Sequence, residues 1–476
     1  MLPTISTGNV SSALAGEYEV ANSCRFNSDA YMVKNIVTPT NQKKYTISVW
    51  VKRSVISSRQ RIFSVIDTSN TAAYSYLEFQ SDDKLNFDDF DGSSTRLTRT
   101  TNRKFRDPSA WINIIIAVDT TLSSASSRVK MYINGTEETD FASTSNASQD
   151  FNTTTLNSSK TFRIAEHGTA GFRFGGYMCE FVLIDGSQLD QTSFGEFDSD
   201  SPNIWKPKDV SGLTFGNNGF YLDFEDSSNL GNDANGGTDF TETSLAATDQ
   251  STDTCTNNFA TLNPIYHYID GATLSEGNLK FTTSGNSSKG RGISTIRPES
   301  GKWYVEVKIT DVTRFQMGIM NGNETNSAQG GDDANSVAFG YGGDFYFNGT
   351  LYSSYTSALS NGNIVQLALD LDNDLFWFGV NDTWGNSATR TEIENGTATN
   401  SGSTDIGSQS PVNTGAIGIF IEDNSGTGNN VSEINFGSPS YSISSGNSDA
   451  NGYGNFEYAV PSGYFALCTK NLAEYG

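Results

Sequence analysis

Short runs of β-branched and aromatic residues, each closed by a cluster of Gly, Asn, Asp and Ser, recur along almost the whole chain and leave little room for helices. "YTISVWVKR" (45–53), "RIFSVID" (61–67), "YSYLEFQ" (74–80), "KLNFDDF" (84–90), "WINIIIAVD" (111–119) and "RVKMYING" (128–135) succeed one another in this way. Their spacing of about 8–20 residues predicts an antiparallel β-sandwich. The run at 111–119 is too short to cross a membrane as a helix, which takes about 20 apolar residues, and its Ile and Val content reads as a buried strand. "FRIAEHG" (162–168) and "GGYMCEFVLIDG" (175–186) continue the series. One short helix is expected over 187–197, "SQLDQTSFGEF", from its Ser start and polar spacing.

Turn chemistry supports the same reading. Tyr132 and Ile133 run into Asn134-Gly135, the dipeptide that most favours a tight type I′ hairpin. "YFNG" (346–349) repeats the device, and "WFGVND" (377–382) is an imperfect version. In the second half, strands resume at 278–284, 301–310, 314–320, 336–349, 362–381, 415–423 and 432–437. Within "KWYVEVKI", Trp303, Val305, Val307 and Ile309 share one face while Tyr304, Glu306 and Lys308 share the other, which predicts one wet face. Trp50, Trp111, Trp303 and Trp377 lie inside strands and are expected to pack in cores.

At 476 residues the chain is too long for one core, and two large β domains are expected. Between 226 and 262 the composition shifts to Gly, Asn, Asp, Thr and Ser, which bury too little surface to order alone; this stretch is a polar linker or a strap laid over a neighbouring domain. The expected layout is an arm at 1–20, one sandwich over 21–225, the linker or strap at 226–262, and a second sandwich over 263–476. Acidic residues outnumber basic ones by 54 to 30, for a net charge of -24, and a field of that sign repels nucleic acid and anionic lipid. Cys24, Cys179, Cys255 and Cys468 are far apart and predict neither a zinc site nor a disulfide framework. The start, "MLPTISTGNV", has no basic region followed by an apolar stretch, so no signal peptide is expected, and the Asn-Gly-Thr sequons at 134 and 348 are discounted with it.

Chemistry-bearing motifs are sparse. His167 and His267 are the only histidines, and there is no nucleophile elbow, phosphate-binding loop or dinucleotide fingerprint. Retaining glycosidases need two carboxylates about 5–5.5 Å apart, but the Glu-x-Asp starts at Glu138 and Glu196 lack the later glutamate. A non-enzyme is therefore expected. "FDDFDG" (87–92) places Asp88, Asp89 and Asp91 where their oxygens could grip Ca²⁺, with a solvated turn as the alternative; "DLDNDLF" (370–376) is weighed in the same way. Sugar rings stack on exposed aromatics while Asn and Asp fix hydroxyls, which selects Tyr341, Tyr346, Tyr352, Tyr355 and Trp384 in loop-rich stretches as carbohydrate- or receptor-binding candidates.

Three resemblances follow from these strings. Trp111 through "AVDTT" to "RVKMYING", followed by "GGYMCEFVLIDG", resembles the laminin-G-like, concanavalin-A-type lectin sandwich. "GKWYVEVKI", "GNIVQLALDLDNDLFWFGVN" and "INFG" resemble a SPRY domain. "FRDPSAW" (105–111), "SFGEFDSDSPNIWKPK" (193–208) and "NNFATLNPI" (257–265) resemble a family of marine-phage virion proteins, tail-fibre or minor structural, that join these two sandwiches in this order across residues 20 to 470. This last resemblance implies a virion location, most readily the phage tail. It also implies a host-surface glycan or protein and other virion proteins as partners, and a trimer; decoration of the capsid or tail is the alternative role. With no short repeat or heptad run, the chain reads as a two-domain head rather than a shaft. Residues 4–20 would then be an attachment arm or an edge strand of the first domain.

Overall fold

The computed structural model describes residues 18–27, 29–66, 73–168, 171–266, 271–283, 290–322, 329–407, 411, 415–423 and 428–476. The chain divides into two compact units, 14–256 and 257–476, each all-β and each built from two large sheets. Most of the expected arm and His267 lie outside the described residues.

In the first unit one sheet runs in the order Thr136–Glu137, Val129–Ile133, Trp111–Asp119, Lys44–Arg53, Gly176–Asp185, Ser23–Phe26 and Gln250–Ser251, with Phe220–Leu222 also paired to Gly176–Asp185. The other runs Phe141–Ser145, Thr95–Lys104, Lys84–Phe90, Tyr74–Phe79, Gln60–Ile66, Thr161–Ile164, Tyr31–Asn35 and Thr241–Thr243. Strand alternation sends Ile112, Ile114, Ile116 and Val118 inward to meet Phe63, Leu77, Phe79 and Phe87 from the opposite sheet. Ile115 and Ala117 point outward, yet they are also buried, beneath Phe194, Val210 and Phe215 of the segment that follows Asp185. Both faces of the 111–119 strand are dry, which explains its unbroken apolar run. Trp111 itself points outward, packs on Tyr177 and donates from Nε1 to Asp253 at 3.0 Å.

One expectation is revised here. The stretch 187–197 forms only a single 3₁₀ turn, Gln191–Ser193, capped by Asp190, and then the strand Gly195–Phe197 paired with Trp205–Pro207. A Cβ on Gly195 would stand 2.5 Å from the Trp205 ring, so cross-strand packing, which polar spacing does not report, decides the conformation. Residues 226–256 are a strap that completes the first unit: Thr241–Thr243 pairs with Tyr31–Asn35, and Gln250–Ser251 with Ser23–Phe26. Its acidic residues meet buried cations, Asp249 at 3.3 Å from Arg25 and Asp253 at 2.6 Å from Lys52.

In the second unit the larger sheet runs Ala272–Ser275, Lys280–Thr283, Val431–Asn435, Lys302–Asp311, Ile364–Asp370, Leu375–Val380 and Thr383–Trp384, with Phe465–Ala466 paired in parallel to Lys302–Asp311. The smaller runs Arg291–Ile293, Gly418–Asp423, Phe315–Met320, Ser336–Gly340, Phe345–Phe347 and Thr350–Tyr352. Trp303, Val305, Val307 and Ile309 enter the core between them, as the alternation predicts. The opposite face is not wet: Tyr304 and Glu306 are fully buried under a layer that includes Phe456, Tyr464 and Ile393. The Glu306 carboxylate accepts the backbone N–H groups of Glu457 and Tyr458 at 2.9 and 2.8 Å, and the Tyr304 hydroxyl at 2.9 Å. A charged residue is tolerated there because its oxygens are paired.

All three hairpin tips have left-handed backbone at both central residues: Asn134 and Gly135 at φ 47° and 73°, Asn348 and Gly349 at 49° and 71°, Asn381 and Asp382 at 49° and 62°. This is the type I′ signature expected of them.

Candidate functional site

The first unit's two sheets differ in what lies on their outer faces. One is roofed by apolar side chains between residues 189 and 221 and by Val20 and Trp205. The other carries polar and aromatic residues in register: Arg163, Ser64, Tyr76, Asp88 and Thr98 form one row across five strands, and Arg61, Glu78, Asn86 and Thr100 form the next. Tyr74 stands opposite Phe90 in a further row. Because strand side chains alternate, Leu77, Phe79, Leu85 and Phe87 are sent to the core and these residues to the opposite face.

Tyr74 stacks on Tyr76 at 5.3 Å and on Phe90 at 4.9 Å, making an aromatic platform. Beside it the Asp88 Oδ2 accepts the Tyr76 hydroxyl at 2.7 Å and the Asn86 amide at 3.1 Å, while Oδ1 has no hydrogen-bond partner. Thr100 Oγ1 donates to Asn86 Oδ1 at 2.7 Å, fixing that amide's orientation. Glu78 is gripped by Arg59 through two hydrogen bonds of 2.7 and 2.9 Å, and Arg61 Nη1 lies 2.8 Å from the same carboxylate. The Arg61 guanidinium lies over the Tyr76 ring, 3.3 Å from its centroid. Burial, then the Asp88 charge, pushes the Tyr76 hydroxyl up, which keeps it a neutral donor.

One side of this floor is walled by the loop after Thr161–Ile164. Phe172 is 41% exposed, holds φ at 56°, and packs between His167 at 5.7 Å and the Arg59 guanidinium at 4.7 Å. Burial, followed by the charges of Arg61, Arg59 and Arg163, lowers His167 to about 4, so its ring is neutral at physiological pH. Ser64 Oγ anchors the loop by donating to the Glu166 carbonyl at 2.7 Å.

The residues singled out in the sequence are placed elsewhere or differently. Tyr341 is exposed in the turn after Ser336–Gly340, and Tyr346 is half-buried on the neighbouring strand. Tyr352 stacks flat on Phe345 at 4.7 Å and Tyr355 is buried edge-on to the same ring, so both serve packing. Trp384 is buried with Trp377 and Ile393, although it also borders an open cleft of about 360 Å³ with Asp382, Thr383 and Arg390. These five do not form one surface.

The Asp88, Asp89 and Asp91 triplet does not converge either. Asp88 and Asp89 are neighbours on one strand and face opposite ways. Asp89 is buried, accepts the backbone N–H groups of Thr154 and Thr155, and is pushed up to about 7 by that burial. Asp91 closes its turn through Ser93 and Ser94 N–H and pairs with Arg96 at 2.6 Å. In the other acidic run Asp370 pairs with Lys302 at 2.9 Å. Among the described residues, no group of three or more His, Cys, Asp or Glu side chains is placed to hold a metal ion. Of the sequence candidates, Asp88 alone reaches the platform. Tyr74, Tyr76 and Asn86 were legible only in the alternation of 74–80 and 84–90, where every second residue is polar or aromatic, and Arg61 only as the first residue of the run 61–67.

The profile of the concanavalin A-like lectin/glucanases superfamily matches residues 26–190, which include every strand of this face except Thr241–Thr243. The first unit therefore carries the concanavalin A-like fold. No curated protein matches the chain. Similar solved structures include the SPRY domain of human HERC1, at 16% identity over 35% of this chain and 94% of that one, with a TM-score of 0.27. They also include a Bacteroides ovatus protein proposed to bind carbohydrate, at 13% identity over 49% and 66% of the two chains, with a TM-score of 0.33. A heptameric SAP-like pentraxin from Limulus polyphemus is similar at 13% identity over 36% and 79%, with a TM-score of 0.27.

Proposed function

We propose that this chain is a non-enzymatic glycan-recognition protein that holds sugar on the outer sheet face around Tyr74, Tyr76 and Asp88. The observation that carries the reading is an aromatic platform set beside a fixed carboxylate with one oxygen unpartnered. A sugar packs its C–H groups along the edges of these stacked rings and donates hydroxyls to the carboxylate. The lectin-type profile over 26–190 supports the same assignment. Binding is favoured over hydrolysis because Glu78 on this face is already engaged by Arg59 and Arg61.

The test is a glycan array probed with the full chain and with Tyr74→Ala and Asp88→Ala. A hydrogen bond to a charged group is worth about 1.5–3 kcal/mol, so Asp88→Ala should weaken binding by roughly tenfold or more without changing the circular dichroism spectrum. Unchanged binding in both variants would remove the site from consideration. Release of reducing ends from a bound polysaccharide would instead make the protein a hydrolase.

For the biological setting we propose a phage tail module that meets a host-surface glycan, attached through other virion proteins and trimeric. The ordered resemblance of 105–111, 193–208 and 257–265 to marine-phage virion proteins supports this. Decoration of the capsid is the competing role. Virions labelled with an antibody to residues 260–470 separate the two: label at the tail supports host recognition, and label over the whole capsid supports decoration.

A further inference from the structure

The two sides of this sheet face differ in chemistry. On the side of Gln60–Ile66 and of the wall residues 166–168 and 171–173, four guanidiniums, Arg59, Arg61, Arg163 and Arg173, stand against two carboxylates, Glu78 and Glu166, among the described residues. This local positive excess occurs in a chain of net charge -24. On the other flank Asp88 and Asn86 present oxygen and amide groups.

The cationic flank also has unused donors. Arg61 Nε and Arg163 Nε have no hydrogen-bond partner, although the two residues are only 2% and 8% exposed. Gly168 keeps the wall close over this group, since a Cβ there would stand 3.3 Å from Arg163 Nε. Buried N–H groups are nearly always paired, so two guanidinium Nε–H groups without acceptors on one face point to an acceptor-rich ligand group.

Resting on the glycan reading above, we infer that the ligand is a sugar acid. Its ring carboxylate faces Arg59 and Arg61, and its hydroxyls face Asp88 and Asn86. A planar carboxylate suits the guanidinium fork, and its charge is stabilised by the excess cations. The opposed flanks set direction: reversing the sugar would place its carboxylate against Asp88.

The test compares carboxylated glycans with backbone-matched neutral ones, in which each carboxyl is reduced to the alcohol, on an array probed with the full chain. Hits should concentrate among uronic-acid glycans, at least tenfold tighter than their neutral partners. That ratio should shrink as ionic strength rises from about 0.05 M to about 0.5 M, because exposed charge interactions are screened. Arg59→Gln, at the half-exposed rim, should abolish the ratio, with circular dichroism confirming the fold. Equal affinity for acidic and neutral partners would overturn this inference while leaving the glycan reading intact; so would a preference for sulfated over carboxylated glycans. An array with no hits would overturn both.

Discussion

At the scale of single residues, burial decides most of the chemistry of this chain. Asp89 and Glu180 are both pushed up to about 7 by burial. A carboxyl whose folded pKa is raised binds its proton more tightly in the native state. Its stability contribution is complete below about pH 4 and is lost as pH rises through about 7. Asp83 and Asp91 shift the other way and act at lower pH. The expected outcome for Asp89→Asn is therefore a weaker decline in stability between about pH 4 and 7 than in the wild type, read from urea midpoints across that range. Asp253 is more severe, because it pairs with buried Lys52 and accepts the Trp111 indole N–H. Its removal takes the Asp253 carboxylate away from a buried ammonium, and Asp253→Ala should cost about 3–5 kcal/mol in the same assay. None of this was visible in the strings: Asp88 and Asp89 are adjacent, and only the strand's orientation turns one to the outer face and makes the other a backbone clamp.

At the scale of elements, the hairpins were the most legible feature, since Asn-Gly specifies its own geometry. Their sensitivity to substitution is set by their surroundings. A Cβ on Gly135 would stand 2.1 Å from the Trp205 ring, whereas one on Gly349 would meet only Asp332 O at 3.8 Å. Both glycines need positive φ, which disfavours alanine by about 1–2 kcal/mol. Gly135→Ala should lose about 1–3 kcal/mol more than Gly349→Ala from overpacking, as thermal denaturation of the two variants would show. The strand Lys302–Asp311 teaches the complementary lesson. Its alternation separates the Trp303 face from the Tyr304 face correctly, but Glu306 reads as solvent-facing because a sequence shows polarity and not the chain that later supplies two backbone N–H partners.

At the scale of the whole molecule, each unit buries its own cores within its own residues. The strap at 226–256 belongs to the first. A fragment ending at residue 225, the boundary that composition suggests, would lack the strands paired to Tyr31–Asn35 and Ser23–Phe26 and leave Arg25 and Lys52 without their acidic partners. We expect residues 14–256 and 257–476 each to fold alone, and residues 14–225 to fail. Circular dichroism and hydrogen exchange on the three fragments provide the check, and a folded 14–225 would refute the assignment of the strap.

The sequence by itself determined the all-β class, two large domains, the hairpin tips and the inward faces of the main strands, because periodicity and turn dipeptides are local physics. Tertiary structure alone decided which polar residues meet and what covers them. Lys52, Asp253 and Glu306 lie under segments distant in the chain, while Tyr76, Asn86 and Asp88 converge only when five strands pair in one register. Register and covering are long-range contacts, and a run of residues read alone carries no record of what will be laid across it.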